Sequence, residues 1–500
     1  MVRLENSGAL LEIASPDDNT SGALQFHLWA FGGLLAYPII CARAVRQVLD
    51  SRRNAWRSAG TAIRLLLSAQ FLEVGKRVLR KSGNLSPARN NAAQRAEMAI
   101  RSRRNHRRCD GPLRTVVFTH SLNLDGAPIS QFELTVALSK QGVIVPIVVA
   151  PKDGPLRRLY EAESVEVRIQ DAGPNTTDRK TAYDRAVSEC ATFFSSLSPD
   201  FLYANSAASF FAVDAADAQH LPCIWNLRES DPPETQFGDY SQSARKRALE
   251  CLSLADQIVF VSEASRKVWQ PLPENCRAMV IPNALDPDRL TESMSRWTRE
   301  AARESLGIAP NEISIICVGT LCERKGQNDI VGAIERLPGD LNRRLRIDLI
   351  GRCGDRYGHD IRETIDAMPP RHKGRIRIFD ATVDVARHYQ AADIFICSSR
   401  AESYPRVILE AMAFRLAIAT TPVFGISEQL TDGETALFYA PGDTAQLARH
   451  IHRFANDETC RRQFGTQAHA SLDRLMRFPD MVNRYADIFR EICVGDSIQP

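Results

Sequence analysis

The chain has 500 residues, a formal net charge of +3, 44 % hydrophobic and 25 % charged residues, a composition that excludes collagen-like, disulfide-scaffold and wholly disordered chains. Hydrophobic cores split above roughly 250 to 300 residues, so at least two domains are expected. Twelve cysteines are scattered with no C-x-x-C pair, which leaves a zinc site or redox dithiol unsupported and makes reduced thiols in a cytoplasmic protein the expectation.

The charge is unevenly spread. Residues 43–114 hold 18 Lys and Arg against 4 Asp and Glu, whereas the segments on either side are net acidic. Residues 19–42 carry no charge, and Leu28 to Ala42 is a 15-residue apolar run broken by small residues and Pro38. A membrane span needs about 20 apolar residues, so this run is short. A cleaved signal peptide fits worse, because Arg3 is outweighed by Glu5, Glu12, Asp17 and Asp18. With Arg43, Arg46, Arg52, Arg53 and Arg57 directly after it, residues 22–42 read as an interfacial anchor whose basic flank meets anionic lipid on the cytoplasmic face. A buried helix with a solvated arginine face is the alternative. The RSRRNHRRCD run at 101–110 has no interleaved aromatics, so nucleic acid is not an expected partner.

From Leu113 the pattern changes to short β-branched runs separated by helical stretches, the signature of parallel βαβ units. Strands are expected over Thr115 to His120, Val143 to Ala150, Val165 to Ile169, Phe201 to Ala204, Cys223 to Leu227 and Gln257 to Val261. After Ile281-Pro282-Asn283 a second series follows: Ile313 to Gly319, Arg346 to Gly351, Arg375 to Phe379, Ile394 to Ser398 and Ala417 to Thr420. Near-continuous apolar strands such as SIICVG and DIFICS imply helices on both sheet faces. Two doubly wound α/β domains therefore face one cleft, lined by the loops after His120, Gly319, Gly351 and Ser399, since such sheets bind ligands beyond the carboxyl ends of their strands. Residues 478–492 form an amphipathic closing helix, with Met481, Tyr485, Ile488 and Phe489 at helical spacing.

The stretch Ser398 to Ala413 (SSRAESYPRVILEAMA) leaves a buried strand and enters a helix. On one continuous helix Glu402 and Glu410 would be offset by about 80° and about 12 Å. Pro405, suited to a first helical turn, puts Glu402 in the preceding loop and Glu410 about one turn inside. The helix amino end then favours an anion such as a diphosphate.

This block, with VIPNALD at 280–286, VGTLCERKG at 318–326, LIGRCG at 349–354 and FGISEQLTDGETALFYAPGD at 424–443 in the same order, resembles the retaining glycosyltransferases of family 4. The likeness is looser around Asp125-Gly126-Ala127-Pro128 and Val261-Ser262-Glu263, and residues 1–110 have no counterpart. The resemblance implies a GT-B fold with two Rossmann-like lobes: an extension at 1–112, an acceptor domain at 113–282, a donor domain at 283–475 and a closing helix and tail at 476–500. It implies that Glu410 binds the ribose hydroxyls of a UDP- or GDP-linked sugar. Glu402 and the amides of Ser403 and Tyr404 would hold the transferring sugar, and Lys325 would meet the diphosphate. Arg324 ranks below Lys325 because chain neighbours often point apart. Gly319 completes the donor set, and Gly126 allows close backbone approach to phosphate or sugar. The implied reaction is retaining transfer of a hexose-type sugar, drawn with no protein nucleophile, to a glycan or lipid-linked acceptor in polysaccharide or lipid-linked glycan synthesis. No metal or other cofactor is implied. One D-x-D, Asp286-Pro287-Asp288, falls in the interdomain linker.

Several positions depart from the family pattern. Thr320 stands where many relatives carry an arginine toward the diphosphate, Arg415 and Phe424 replace glycines, Ala417 replaces a proline, and Asn205 and Ser206 lie where a sugar-contacting histidine is common. Arg228 and Glu229 could serve an acceptor or form an ordinary surface ion pair. The competing functions are a sugar-nucleotide epimerase or glycan phosphorylase of the same fold, and a non-catalytic GT-B scaffold.

Overall fold

The computed structural model describes residues 2–5, 8–13, 24–28, 111–170, 180–354, 356–370, 372 and 374–494. The chain divides into two compact units, residues 1–100 and 101–500. In the first, Val2–Glu5, Gly8–Ile13 and Leu24–Leu28 pair as an antiparallel sheet in chain order. The rest of the 22–42 segment and the basic arm up to residue 110 lie outside the described residues. No helix among the described residues is long and apolar enough to cross a membrane.

The second unit carries two parallel sheets. The first consists of β1 (Leu113–Thr119), β2 (Ile144–Ala150), β3 (Glu166–Ile169), β4 (Phe201–Asn205), β5 (Cys223–Leu227), β6 (Gln257–Phe260) and β7 (Ala278–Val280), ordered β7-β6-β5-β4-β1-β2-β3. The second consists of β8 (Ile313–Val318), β9 (Leu345–Ile350), β10 (Ile376–Phe379), β11 (Ile394–Cys397), β12 (Ala417–Thr420) and β13 (Leu437–Phe438), ordered β10-β9-β8-β11-β12-β13. Both follow the doubly wound order, in which the chain reverses direction across the sheet beside its first strand. Every residue of β4, β5 and β11 is buried, as near-continuous apolar strands require when helices cover both faces. The edge strands β7 and β13, three and two residues long, escape sequence reading because they are too short to show a period.

Three helices position the cleft: α1 (Gly126–Lys140), α2 (Arg406–Ala413) and α3 (Phe478–Val494). Pro405 is the residue preceding α2 rather than part of its first turn, so the expected loop placement of Glu402 holds with the helix starting one residue later. After the second sheet, α3 returns to pack on the first. The Phe489 ring meets Phe201 edge-on with centroids 4.7 Å apart, and Asn226 Nδ2 donates to the Tyr485 hydroxyl at 2.6 Å. The chain therefore crosses between lobes twice, and the first lobe's core is completed by the last helix.

Both glycine-replacing residues adopt left-handed backbone, Arg415 at φ +57° and Phe424 at φ +45°. The Arg415 turn is enforced by packing: a Cβ at Gly465 would lie 2.1 Å from the Arg415 carbonyl oxygen, so the turn backbone sits directly on the helix Glu458–Ser471. Left-handed geometry costs an L-residue about 1–2 kcal/mol, partly offset by the greater freedom glycine has when unfolded. Arg415→Gly is therefore expected to raise stability by up to about 1 kcal/mol, read as a higher urea midpoint at unchanged slope; a lower midpoint would show that the arginine side chain contributes more than the backbone strain removes.

Candidate active site

The second sheet reverses its winding between β8 and β11, and the two loops that leave these strands carry the predicted residues. Glu323–Lys325 form a single 3-10 turn ended by Gly326 at φ +62°. A Cβ on Gly326 would lie 2.3 Å from the Ser398 carbonyl oxygen, so only glycine lets the turn rest against the end of β11. The turn is sewn to the next loop: Ser398 Oγ donates to the Lys325 carbonyl at 2.8 Å and the Arg400 amide to the Arg324 carbonyl at 2.7 Å. On the other side, a Cβ on Gly425 would lie 1.5 Å from the Ser403 carbonyl oxygen, and the Gly425 amide donates to the Glu402 carbonyl at 3.2 Å. The Glu402 loop is thus clamped between two glycines that no other residue could replace without moving it.

Within this clamp Lys325 Nζ donates to Glu402 Oε1. Ser399 Oγ donates to the same oxygen at 2.8 Å. Arg324 Nη1 lies 3.5 Å from it and donates to the Ala401 carbonyl at 2.8 Å. The Lys325 and Glu402 side chains are 15 % and 8 % exposed. Burial by itself would push the Glu402 carboxyl up, but Lys325 and Arg324 outweigh it and hold the group below its ordinary value. Arg324 and Lys325 converge, contrary to the expectation that chain neighbours diverge, because the Arg324 side chain curls back along the 401–402 backbone. Gly319, at φ +147°, lies behind the lysine, with the Lys325 Cε 3.3 Å from where its Cβ would stand.

The other lobe closes on this loop directly. Ser403 Oγ donates to the Arg228 carbonyl and Thr320 Oγ1 to Asp125 Oδ1 at 3.1 Å, while from the linker Asn283 Nδ2 donates to the Tyr404 carbonyl at 2.9 Å. The Glu428 carboxylate accepts from the amides of Glu263 and Ala264 at 3.2 and 2.8 Å. Thr320, read from sequence as a missing charge, is therefore a contact across the cleft. Gly126 opens α1, with open space where a Cβ would be. Glu410 lies apart from the Lys325–Glu402 pair, on α2, where Arg406 Nε donates to its Oε1 at 2.9 Å.

On the first lobe, the ends of β1, β4 and β5 gather His120, Asn205, Ser206, Arg228 and Glu229. Ser206 has φ 78°, ψ 151°, a region almost reserved for glycine. It is held there by its amide on the Asn226 carbonyl at 2.8 Å, by Trp225 Nε1 on its own carbonyl at 2.8 Å, and by its hydroxyl on Glu229 Oε1 at 2.5 Å. Arg228 and Glu229 are not an ion pair. Arg228 Nε and Nη1 donate to Asn205 Oδ1 and Asn283 Oδ1 at 2.5 and 2.6 Å, and Glu229 Oε2 accepts from the Arg228 amide at 2.8 Å. His120 has a buried Nδ1 with no partner; burial lowers its pKa against the pull of Glu229 and Asp125. Sequence reading marks the loop after His120 but not the histidine itself, and looks for a histidine at the end of β4, whereas the structure places His120 beside Asn205 from the end of the neighbouring strand β1. Asp286 of the D-x-D caps the helix Pro287–Ser295, its Oδ1 accepting from the Asp288 amide at 3.0 Å. Among the described residues no group of three or more His, Cys, Asp or Glu is arranged to hold a metal ion.

Two facing Rossmann-like lobes, with a cation–carboxylate pair where the second sheet reverses its winding and an open glycine where the first does, define a GT-B glycosyltransferase. The family models agree. "Glycosyltransferase Family 4" matches residues 124–289 and "Glycosyl transferases group 1" matches residues 298–471; the chain belongs to the family 4 glycosyltransferases. Alpha-maltose-1-phosphate synthase of Mycobacterium tuberculosis is 26 % identical over 333 residues, 60 % of this chain and 84 % of the relative. D-inositol 3-phosphate glycosyltransferase of Nocardia farcinica is 28 % identical over 231 residues, 42 % of this chain and 49 % of the relative. Among solved structures, Anabaena HepE in complex with UDP-glucose superposes with a TM-score of 0.62 at 18 % identity, over 75 % of this chain and 99 % of that one. WaaG, a glycosyltransferase involved in lipopolysaccharide biosynthesis, gives 0.58 at 16 % identity over 75 % and 99 %.

The charge balance at Glu402 is testable by pH. Its lowered pKa means that its contribution to stability is present above the unfolded carboxyl value, about 4.3, and is lost as pH falls through the folded one. In Lys325→Met burial loses its main counterweight, and removing one partner of a buried pair costs about 3 kcal/mol. The urea midpoint of the variant should lie below wild type at pH 7 and the gap should narrow steadily from pH 5 to pH 3. A gap independent of pH would show that Lys325 stabilises by packing rather than by compensating Glu402.

Proposed function

We propose that this glycosyltransferase is a retaining, metal-independent enzyme that moves a hexose-type sugar from a UDP- or GDP-linked donor to a glycan or lipid-linked acceptor. The observation that carries the reading is the convergence of Lys325, Arg324 and Glu402 at the mouth of the second sheet. Cleavage of a sugar nucleotide breaks the anomeric C–O bond and leaves a growing negative charge on the terminal phosphate. A preorganised ammonium and guanidinium there stabilise that charge at no reorganisation cost. The anomeric carbon meanwhile becomes oxocarbenium-like, and a carboxylate kept ionised beside it offsets the positive character.

Glu402 is poorly suited to be a nucleophile, because one of its oxygens already accepts from Lys325 and Ser399. The reaction is better drawn on one face: the acceptor hydroxyl attacks as the phosphate departs, and the leaving phosphate oxygen takes the acceptor's proton. That geometry retains the anomeric configuration without a covalent enzyme intermediate. With two cations available to the leaving group, no divalent ion is needed. Glu410, about two helical turns from Glu402 in sequence, would take the ribose diol, and Ser403 and Tyr404 would offer backbone amides to the sugar. The HepE complex with UDP-glucose supports a uridine donor as the first to try. The names of the relatives, which include a maltose 1-phosphate synthase and an inositol 3-phosphate glycosyltransferase, support a polyhydroxylated acceptor at the His120–Glu229 face.

A panel of UDP- and GDP-sugars incubated with the purified protein and a chelator should yield slow release of nucleoside diphosphate from one donor. Lys325→Ala should reduce that rate by about 10²–10³-fold, the usual cost of removing one preorganised charge. NMR of a transferred product should show the donor's anomeric configuration. An inverted product, or a rate abolished by the chelator, would overturn the mechanism.

A further inference from the structure

The Arg406 side chain has three engaged nitrogens, and they reach two lobes. Its Nε donates to Glu410 Oε1 at 2.9 Å within α2, while Nη1 and Nη2 donate to Glu133 Oε2 and Oε1 of α1 at 2.6 and 2.7 Å. The three side chains are 12 % (Arg406), 7 % (Glu133) and 16 % (Glu410) exposed. Arg406 and Glu410 are one helical turn apart on one face, so the arginine reaches Glu410 from its own helix. The forked, two-bond contact with Glu133 is the stronger and more directional one, and it exists only while the two lobes are together.

We propose that Arg406 is a positioning residue for the donor nucleotide, and that Glu133 of the opposite lobe makes it one by anchoring its guanidinium so that Nε fixes the Glu410 carboxylate for a ribose diol. This rests on the reading of Glu410 as the ribose ligand. The physical reason is burial. A guanidinium with an eighth of its surface exposed needs acceptors for its N–H groups, and Glu410 alone offers too few. If Glu133 withdraws as the lobes part, water replaces it at Nη1 and Nη2, and the guanidinium loses its forked anchor. The Glu410 carboxylate is then no longer fixed in one orientation for a diol. With Glu133 in place, Arg406 is saturated from the other side. Nucleotide binding and lobe closure thereby favour each other, and the coupling is reciprocal. The sugar nucleotide's affinity comes to depend on a residue in the acceptor lobe that the nucleotide never touches.

Calorimetric titration of the full chain with UDP and with GDP, together with donor kinetics, tests this. Glu133→Gln, which keeps shape and loses the charge, should weaken nucleotide binding about 5- to 20-fold and raise donor KM by the same factor with kcat changed less than about twofold. Glu133→Asp should recover part of the affinity, which a mere packing role would not produce. In a Glu410→Ala background Glu133→Gln should cause no further loss, because its effect runs through Glu410. Circular dichroism and the ligand-free Tm of each variant identify misfolding, and Glu133→Asp serves if Glu133→Gln is unstable. If Glu410→Ala binds nucleotide like wild type, the ribose assignment fails and the inference with it. If Glu410→Ala abolishes binding while Glu133→Gln binds like wild type, or if the two losses add, the bridge alone is refuted.

Discussion

A carboxylate with under a tenth of its surface in water stays ionised only if the protein replaces the lost hydration, and at Glu402 it does so with Lys325, Arg324 and Ser399. Much of the second lobe can be understood as the means of holding those groups there. The 3-10 turn of Glu323–Lys325 has to lie on the end of β11, which requires Gly326. The Glu402 loop has to pass under the backbone at Gly425, which leaves no room for a side chain. The turn and loop come from β8 and β11, the adjacent strands between which the sheet reverses direction, the place where sheets of this kind take ligands. The same compensated charge that permits burial is what meets a leaving phosphate.

The lobes are joined around this site largely by polar contacts, with Val261 of the first lobe packed into the second lobe's apolar cluster beside them. Ser403 on Arg228, Thr320 on Asp125, Glu428 on two amides and Arg406 on Glu133 all cross the cleft. Neutral hydrogen bonds gain only modestly over their hydrated alternatives, roughly 0.5–1.5 kcal/mol each, and those to charged groups roughly 1.5–3, so a largely polar seam can open and close more readily than an apolar one. The linker at Ile281–Asn283 and the return into α3 keep the lobes paired whichever state the seam is in.

Much of this was legible in the sequence. Apolar runs of five to seven residues alternating with helical stretches specify parallel sheets because both faces must be covered, and the Lys325 and Glu402 motifs lie, as expected, on the loops that leave β8 and β11, with Glu410 inside the helix that follows. The two glycine replacements at Arg415 and Phe424 were visible as departures, and both residues do hold left-handed backbone. Other features had no local signal. The two shortest edge strands carry no period. Arg324 turns toward its neighbour's partner because of where the 401–402 backbone passes. The side chains of Arg228 and Glu229, adjacent and opposite in charge, do not pair with each other: Arg228 takes Asn205 and Asn283, and Glu229 takes Ser206 and the Arg228 amide. His120 reads as an ordinary strand terminus until β4 is placed beside it.

The sequence alone determined the class of fold, the limits of the longer parallel strands to within a residue or two, and which loops carry charge, because periodicity, glycine and proline act on their immediate neighbours. Only the tertiary structure decided which charges meet. Lys325 and Glu402 are 77 residues apart and Glu133 and Arg406 are 273 apart, and the energy that joins each pair falls off with distance in space and with exposure to water, neither of which is written along the chain.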